Sequence, residues 1–401
     1  MLQNIGGVSA VLALIMFMAA LSSILLARVL PKSGFGQFTL MRTLILFIPP
    51  LAIWGQDLST ARFFSRNSPM EYDWHRAFFK VWTGSVLLSL LAVTAAVYFY
   101  QLSAQQLFIL AAACLLYSSI LFVSNLVRSQ RRYNQAILIL NGFRGLYLLL
   151  LILLSAFALL NTFSAVVGYV AIIGIVAVFG IIYVVHSIPA GEKTVPKEYY
   201  HSGLILMGSQ VAVTVMNSMD SLLIPYLIDY QALALYAACL IPIRVYGILG
   251  RAGKYVWVPE FGRSATIRIK RITIAVTALA LLLLVMFILF AKPVLHLLYS
   301  GKYDNGFGVL RILAAAGALK LIYTLSSSLI VGKLNNYALR WYTRINIVTT
   351  LVYIILLYVL IKLYGVTGAA AALLAISLFR LLASYGLLYK FRTQLNNGAP
   401  V

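Results

Sequence analysis

The chain has 401 residues, of which 62% are hydrophobic and 10% charged, and a net charge of +22 from 31 Lys and Arg against 9 Asp and Glu. Soluble domains carry about a quarter of their residues as charge, so this chain cannot cover a wetted surface and lipid must be its solvent. The basic residues are scattered in short stretches between apolar runs, which fits a positive-inside bias beside anionic headgroups and gives no footprint for nucleic acid.

Taken in order, apolar runs of about twenty residues fall at roughly 6–28, 38–56, 78–100, 106–126, 136–160 and 163–186, then at roughly 203–228, 233–257, 272–297, 308–331, 345–364 and 366–389. Their continuity predicts helices instead of alternating barrel strands, hence an all-α polytopic membrane protein with about twelve transmembrane helices. The first five residues carry no basic side chain and the run after them is long enough to span, so no cleavable signal peptide is expected. The first corner is marked by Pro31, Gly34 and Gly36, which predict a sharp reversal, with Arg28 just inside it.

About 198 residues later the design recurs at Ile228-Asp229-Tyr230, and Val167-Gly168-Tyr169 corresponds to Gly365-Val366-Thr367-Gly368. The chain is therefore expected to form two six-helix lobes, 1–186 and 203–401, joined by a linker at 187–202 that contains Pro189, Gly191 and Pro196. An even number of helices per lobe gives both lobes one orientation, so their pseudo-two-fold axis should run along the membrane normal, with a cavity between the halves as working site.

Alternate loops and ends differ in charge. One set, which includes Arg62, Arg66, Arg128, Arg268 and Arg392, holds twenty Lys and Arg, and the other, which includes Arg28, Lys302 and Arg311, holds six. This places both termini in the cytoplasm. No loop exceeds about twenty residues; the longest are Asp57–Ala77, Ser187–Ser202 and Pro259–Arg271, too short for a catalytic domain. The four histidines are dispersed, Gly34-Phe35-Gly36 lacks the third glycine of a dinucleotide loop, and no Walker-type Gly-Lys-Ser/Thr occurs. No metal, no cofactor and no enzymatic activity are expected. Cys114 and Cys239 fall in apolar runs and read as small core residues.

Five basic residues remain well inside the runs: Arg42, Arg144, Arg244, Lys320 and Arg380. A charge at the centre of a spanning helix costs about 2.5–3.5 kcal/mol on insertion scales, so each needs a reason. Asp220 is the one acid inside a run, and the first six runs contain none, so the surplus of cations predicts an interior that receives an anion. Local accommodation competes with this at each position. Arg42 and Arg380 are near enough to helix ends to snorkel, Arg144 can meet helix-end carbonyls, and Lys320 has a long stem. Arg244 lies nearest mid-depth beside Pro242 and is the first choice. Asp220 serves equally as an arginine partner or as a cation or proton site.

Five segments in order resemble the polysaccharide flippase (Wzx-type) family of the multidrug/oligosaccharidyl-lipid/polysaccharide exporter superfamily. They are Leu26-Ala27-Arg28-Val29-Leu30-Pro31 with Gly34-Phe35-Gly36; Trp54-Gly55 through Thr60-Ala61-Arg62-Phe63; Asp220 with Leu235-Tyr236-Ala237-Ala238; Leu297-Leu298-Tyr299-Ser300-Gly301-Lys302-Tyr303; and Gly365-Val366-Thr367-Gly368-Ala369-Ala370. Pro31-Lys32 departs from the Gly-Pro commoner there. The resemblance implies a two-lobed transporter of the bacterial inner membrane that flips an undecaprenyl-pyrophosphate-linked oligosaccharide, an O-antigen or related repeat unit, to the periplasmic leaflet by alternating access. It further implies membrane lipids, a polysaccharide polymerase and a chain-length regulator as partners. A pyrophosphate is the anion that Arg244, Arg144, Arg42, Lys320, Arg380 and, at the outer mouth, Arg28 would hold. Coupling to H⁺ or Na⁺ is compatible with the charge pattern and would use Asp220. Two alternatives share the fold, a drug/cation antiporter and a peptidoglycan lipid-precursor flippase. The absence of an interior acid in the first six runs argues against the antiporter. A membrane-embedded polymerase or glycosyltransferase is disfavoured by the short external loops.

Overall fold

Hydrophobic runs this long can satisfy their backbone in lipid only by coiling, and the computed structural model is accordingly helical. It describes residues 2–65, 67–263, 269–334 and 336–391. Of the loop cations named above, Arg66, Arg268 and Arg392 lie outside the described residues. The first six expected runs become α1 (Leu2–Val29), α2 (Lys32–Ala52) with the short α3 (Gln56–Phe64), α4 (Trp74–Tyr100), α5 (Ala104–Ser129), the pair α6 (Tyr133–Asn141) and α7 (Phe143–Ala156), and α8 (Thr162–Ser187). The last six become α9 (Lys197–Leu227), α10 (Tyr230–Arg263), α11 (Ile269–Leu289) with α12 (Ala291–Tyr299), α13 (Phe307–Lys333), and the 55-residue α14 (Asn336–Lys390). Among the described residues nine helices are long and apolar enough to cross a membrane, and the bent pair α6/α7 would make a tenth. One of the nine, α14, carries non-helical backbone at Gly365 (φ 58°, ψ −137°), where two helices meet. The helix on the seventh run, α9, has 31 residues and is not among the nine. The protein is a multi-pass, all-α membrane protein.

Several local expectations are corrected. The first corner is confined to Leu30 and Pro31, and Gly34 and Gly36 lie buried inside α2. Gly34 is needed for close packing: a Cβ there would come within 2.3 Å of Thr162 Oγ1. The second run stops at Ile53, turns through left-handed Trp54 (φ 53°) and Gly55 (φ 69°), and resumes as α3, so the expected Asp57–Ala77 loop is partly helical. Two prolines, Pro49 and Pro50, weaken the last turn of α2 just before this break. The fifth run bends by 42° at Gly142. The second corner is as expected, with α10 entered through Asp229, whose Oδ1 accepts the Ala232 amide at 2.7 Å.

The chain forms two compact units, Met1–Leu25 with Val29–Tyr226, and Leu26–Arg28 with Leu227–Val401. In the first, α5 is central and packs against α2, α3, α4, α6 and α8. Its stretch Tyr117–Val127 is buried on every face. In the second, α13 is central and packs against α10, α11, α12 and α14. The middle helix is the fourth run of the chain in the first unit and the tenth in the second, and the first unit also takes in most of α9, the seventh run, which the sequence reading assigned to the second lobe. Large apolar side chains such as Leu87, Leu91, Leu282 and Ile355 face outward, where lipid replaces water.

Candidate functional site: paired arginines in an aromatic surround

In the first unit, α2 and α7 each direct an arginine into a cluster of rings. Arg42 is half-buried, donates from Nη1 to Ser23 Oγ at 3.0 Å, and holds its guanidinium carbon 5.8 Å from the Phe38 ring centre. Arg144, also half-buried, lies 5.6 Å from the centre of Phe143. The two guanidinium groups lie within electrostatic range of each other, and Tyr147 and Tyr169 lie within range of Arg42. Phe38 stacks on Tyr147 at 6.0 Å and meets Tyr169 edge-on at 5.9 Å, while Tyr147 and Tyr169 pack at 4.9 Å. Phe143 joins the group through Tyr169 at 5.7 Å and Tyr117 at 6.0 Å. Among the described residues neither arginine takes part in an ion pair. Ring faces and one serine stabilise the cations only in part, which leaves guanidinium donors for an anion.

Tyr117 also feels Asp57, an acid that the sequence reading placed in a loop. The structure buries it in α3 with 3% exposure, just beyond the second run, so the first unit holds a buried acid although its six runs contain none. Its Oδ1 has no hydrogen-bond partner among the described residues. α3 lies outside the membrane-spanning segments, and burial pushes the Asp57 carboxyl up to about 6. The pattern Gln56, Ser59, Thr60 had the i, i+3, i+4 spacing of one helix face and could have revealed α3. Those three residues bind the start of α9: Gln56 Nε2 donates to the Tyr200 carbonyl at 2.9 Å, Ser59 Oγ donates to that of Tyr199 at 2.6 Å, and Thr60 Oγ1 lies 2.7 Å from the Tyr199 hydroxyl.

The other expected site residues sit elsewhere. Asp220 is buried on α9, and its Oδ1 accepts the Ser221 amide at 2.7 Å. In the second unit, Arg244 is half-buried on α10 and interacts electrostatically with Tyr299. Lys320 is exposed on α13. Arg380 donates to Asn346 Oδ1 and lies 4.9 Å over Tyr323, whose hydroxyl is 2.8 Å from that of Tyr342, while its Nε is buried with no hydrogen-bond partner among the described residues. Arg28 is exposed and donates to Ser300 Oγ at 2.9 Å, while Lys302 Nζ donates to the Ala27 carbonyl at 3.0 Å. The aromatic set around Arg42 and Arg144 was not singled out from sequence, because tyrosine and phenylalanine are abundant throughout the chain.

Residues 1–265 match the family model described as "Polysaccharide biosynthesis protein". The chain belongs to this family. No curated protein matches it by sequence. Among solved structures, this polysaccharide biosynthesis family member is similar to the lipid II flippase MurJ in an inward closed conformation, with TM-score 0.70 and 14% identity over 97% of this chain and 88% of that one. It is also similar to a multidrug resistance MATE family transporter of the MOP superfamily in an inward-facing conformation, with TM-score 0.63 and 15% identity over 96% of this chain and 95% of that one. The Vibrio cholerae MATE transporter VcmN in its bent form aligns with TM-score 0.53 and 15% identity over 99% of each chain. At these identities the likeness establishes the fold. The family member has a transporter fold whose named neighbours are transporters and a flippase.

Proposed function

We propose that the protein flips an undecaprenyl-pyrophosphate-linked oligosaccharide across the bacterial inner membrane, from the cytoplasmic to the periplasmic leaflet, by alternating access. The observation that carries this reading is the Arg42–Arg144 pair, set among aromatic rings and without an acidic partner among the described residues, in a member of a polysaccharide biosynthesis family. Guanidinium forks match pyrophosphate oxygens in geometry and charge, and ring faces suit sugar rings. Arg244 and Lys320 add positive charge in the second unit. The lobes of the transport cycle are the sequence repeats, 1–186 and 203–401, with both termini cytoplasmic as the loop charges indicate. Outward movement of an anion across an inside-negative membrane gains about 2.3 kcal/mol per charge per 100 mV, so ion coupling through Asp220 would add to an already favourable gradient.

The test is delivery of lipid-linked sugar to the periplasmic face in cells carrying Arg42→Gln, Arg144→Gln or both. Loss of delivery with normal expression supports the reading, and unchanged delivery in the double variant overturns it. One observation favours a second reading, a cation antiporter: Asp57 is a buried acid in the first unit. Raised drug susceptibility in cells lacking the protein, with intact surface polysaccharide, would select that reading. Essentiality under depletion would instead favour a peptidoglycan-precursor substrate.

A further inference from the structure

The second unit contains a cavity of about 310 Å³ among α11, α13 and α14. That volume is at the lower end of the range of roughly 300–1,000 Å³ typical of small-molecule sites. Its floor is aliphatic, formed by Leu325, Leu329 and Leu388, all buried, and its rim carries Thr273, Tyr385 and Tyr389, the tyrosines being 41% and 70% exposed. The one other hydroxyl on the wall, Ser326, is turned away into bonds with Ser384 Oγ at 2.7 Å and the Tyr323 carbonyl at 2.9 Å, so nothing polar projects from the floor. All of these residues lie near helix ends on one side of the unit: Thr273 in the first turns of α11, Leu329 in the last turns of α13, and Tyr385 to Tyr389 at the end of α14.

Both flanking helices carry an exposed cation beside the opening. Arg271 is two residues before Thr273, and Lys390 follows Tyr389. Lys390 also shares the Trp341 ring with Arg344, at 4.8 Å and 5.6 Å, so the end of α14 gathers positive charge that no acidic side chain among the described ion pairs offsets. An aliphatic slot, a rim of interfacial tyrosines and a cation within two residues of the rim on each flanking helix match the chain, glycerol and headgroup levels of a lipid.

We infer that this cavity is a binding site for an anionic phospholipid, its acyl chain lying between Leu325, Leu329 and Leu388 and its phosphate between Arg271 and Lys390. The site is separate from the Arg42–Arg144 cluster and does not depend on the transported substrate. The full-length protein is placed in phosphatidylcholine nanodiscs and titrated with phosphatidylglycerol, and retained lipid is counted by native mass spectrometry alongside thermal unfolding. Saturable phosphatidylglycerol binding is expected, weakened about 30-fold in R271Q/K390Q and unchanged in R311Q, which removes a cation from the opposite end of α13. Leu329→Trp, which fills the slot, should also weaken it. Should that variant fail to fold, the charge variants decide. Equal binding to R271Q/K390Q, equal binding of added phosphatidylcholine, or retention of polyprenyl phosphate in place of phosphatidylglycerol would overturn the assignment.

Discussion

The Tyr199 hydroxyl lies 2.7 Å from Thr60 Oγ1, and this buried pair ties α3 to the first turn of α9. Around it the segment between α8 and α9 is bonded to the segment between α3 and α4. Trp74 Nε1 donates to the Ile188 carbonyl at 3.1 Å, Asp73 N to that of Lys193 at 2.8 Å, and Lys193 Nζ meets Glu71 at 3.0 Å. The connection that read in sequence as a linker between halves is bonded at Ile188, Gly191 and Lys193 to the segment before α4 and the start of α4.

Tyr199→Phe should cost about 1 kcal/mol, because Thr60 keeps its own bond to the Gln56 carbonyl and one hydrogen bond is lost. Tyr199→Ala should cost about 3–5 kcal/mol, because it also removes the ring that packs on Phe63 and Phe64. Thermal unfolding of the purified protein checks the order of the two.

Asp57→Asn should make stability less dependent on pH. The native carboxyl is raised by burial from 3.8 to about 6, so its protonated form favours folding below pH 4 and this contribution is lost as pH rises through 6. The asparagine variant should therefore match the parent near pH 4 and exceed it by up to about 3 kcal/mol at pH 7.5. A pH series of unfolding midpoints for the two proteins reads this directly.

Gly55→Ala should be more damaging than Gly203→Ala. A Cβ at Gly55 would stand 2.4 Å from the Gly203 carbonyl oxygen and 2.8 Å from the Met207 amide, at a backbone φ of +69°. A Cβ at Gly203 meets the Gln56 side chain, which can rotate aside at the loss of its bond to Tyr200. Folded yield after membrane extraction should fall severalfold for Gly55→Ala and modestly for Gly203→Ala.

Arg42→Lys should fail to restore transport that Arg42→Gln abolishes. A lysine keeps the charge but loses the planar fork that bonds Ser23 while facing Phe38 and offering donors to a pyrophosphate. Equal periplasmic delivery by the lysine variant and the parent would show that charge alone suffices there.

The linear chain determined the solvent, the helical class, the approximate run positions and the second corner, because each depends on apolar content, spacing or a local cap such as Asp229. It also named Arg42 and Arg144, since a cation inside an apolar run is conspicuous wherever it points. Only the tertiary structure decided which cations share surroundings and which stand apart among other partners. Arg42 and Arg144 are 102 positions apart and meet because α2 and α7 come together around the same rings, whereas Arg380 is stabilised by Asn346 and Tyr323. Burial of Asp57 likewise depends on α3 packing against α5, where Tyr117, 60 positions further along the chain, lies within electrostatic range of it. Hydropathy is a property of neighbours in sequence; desolvation and hydrogen-bond satisfaction are properties of neighbours in space.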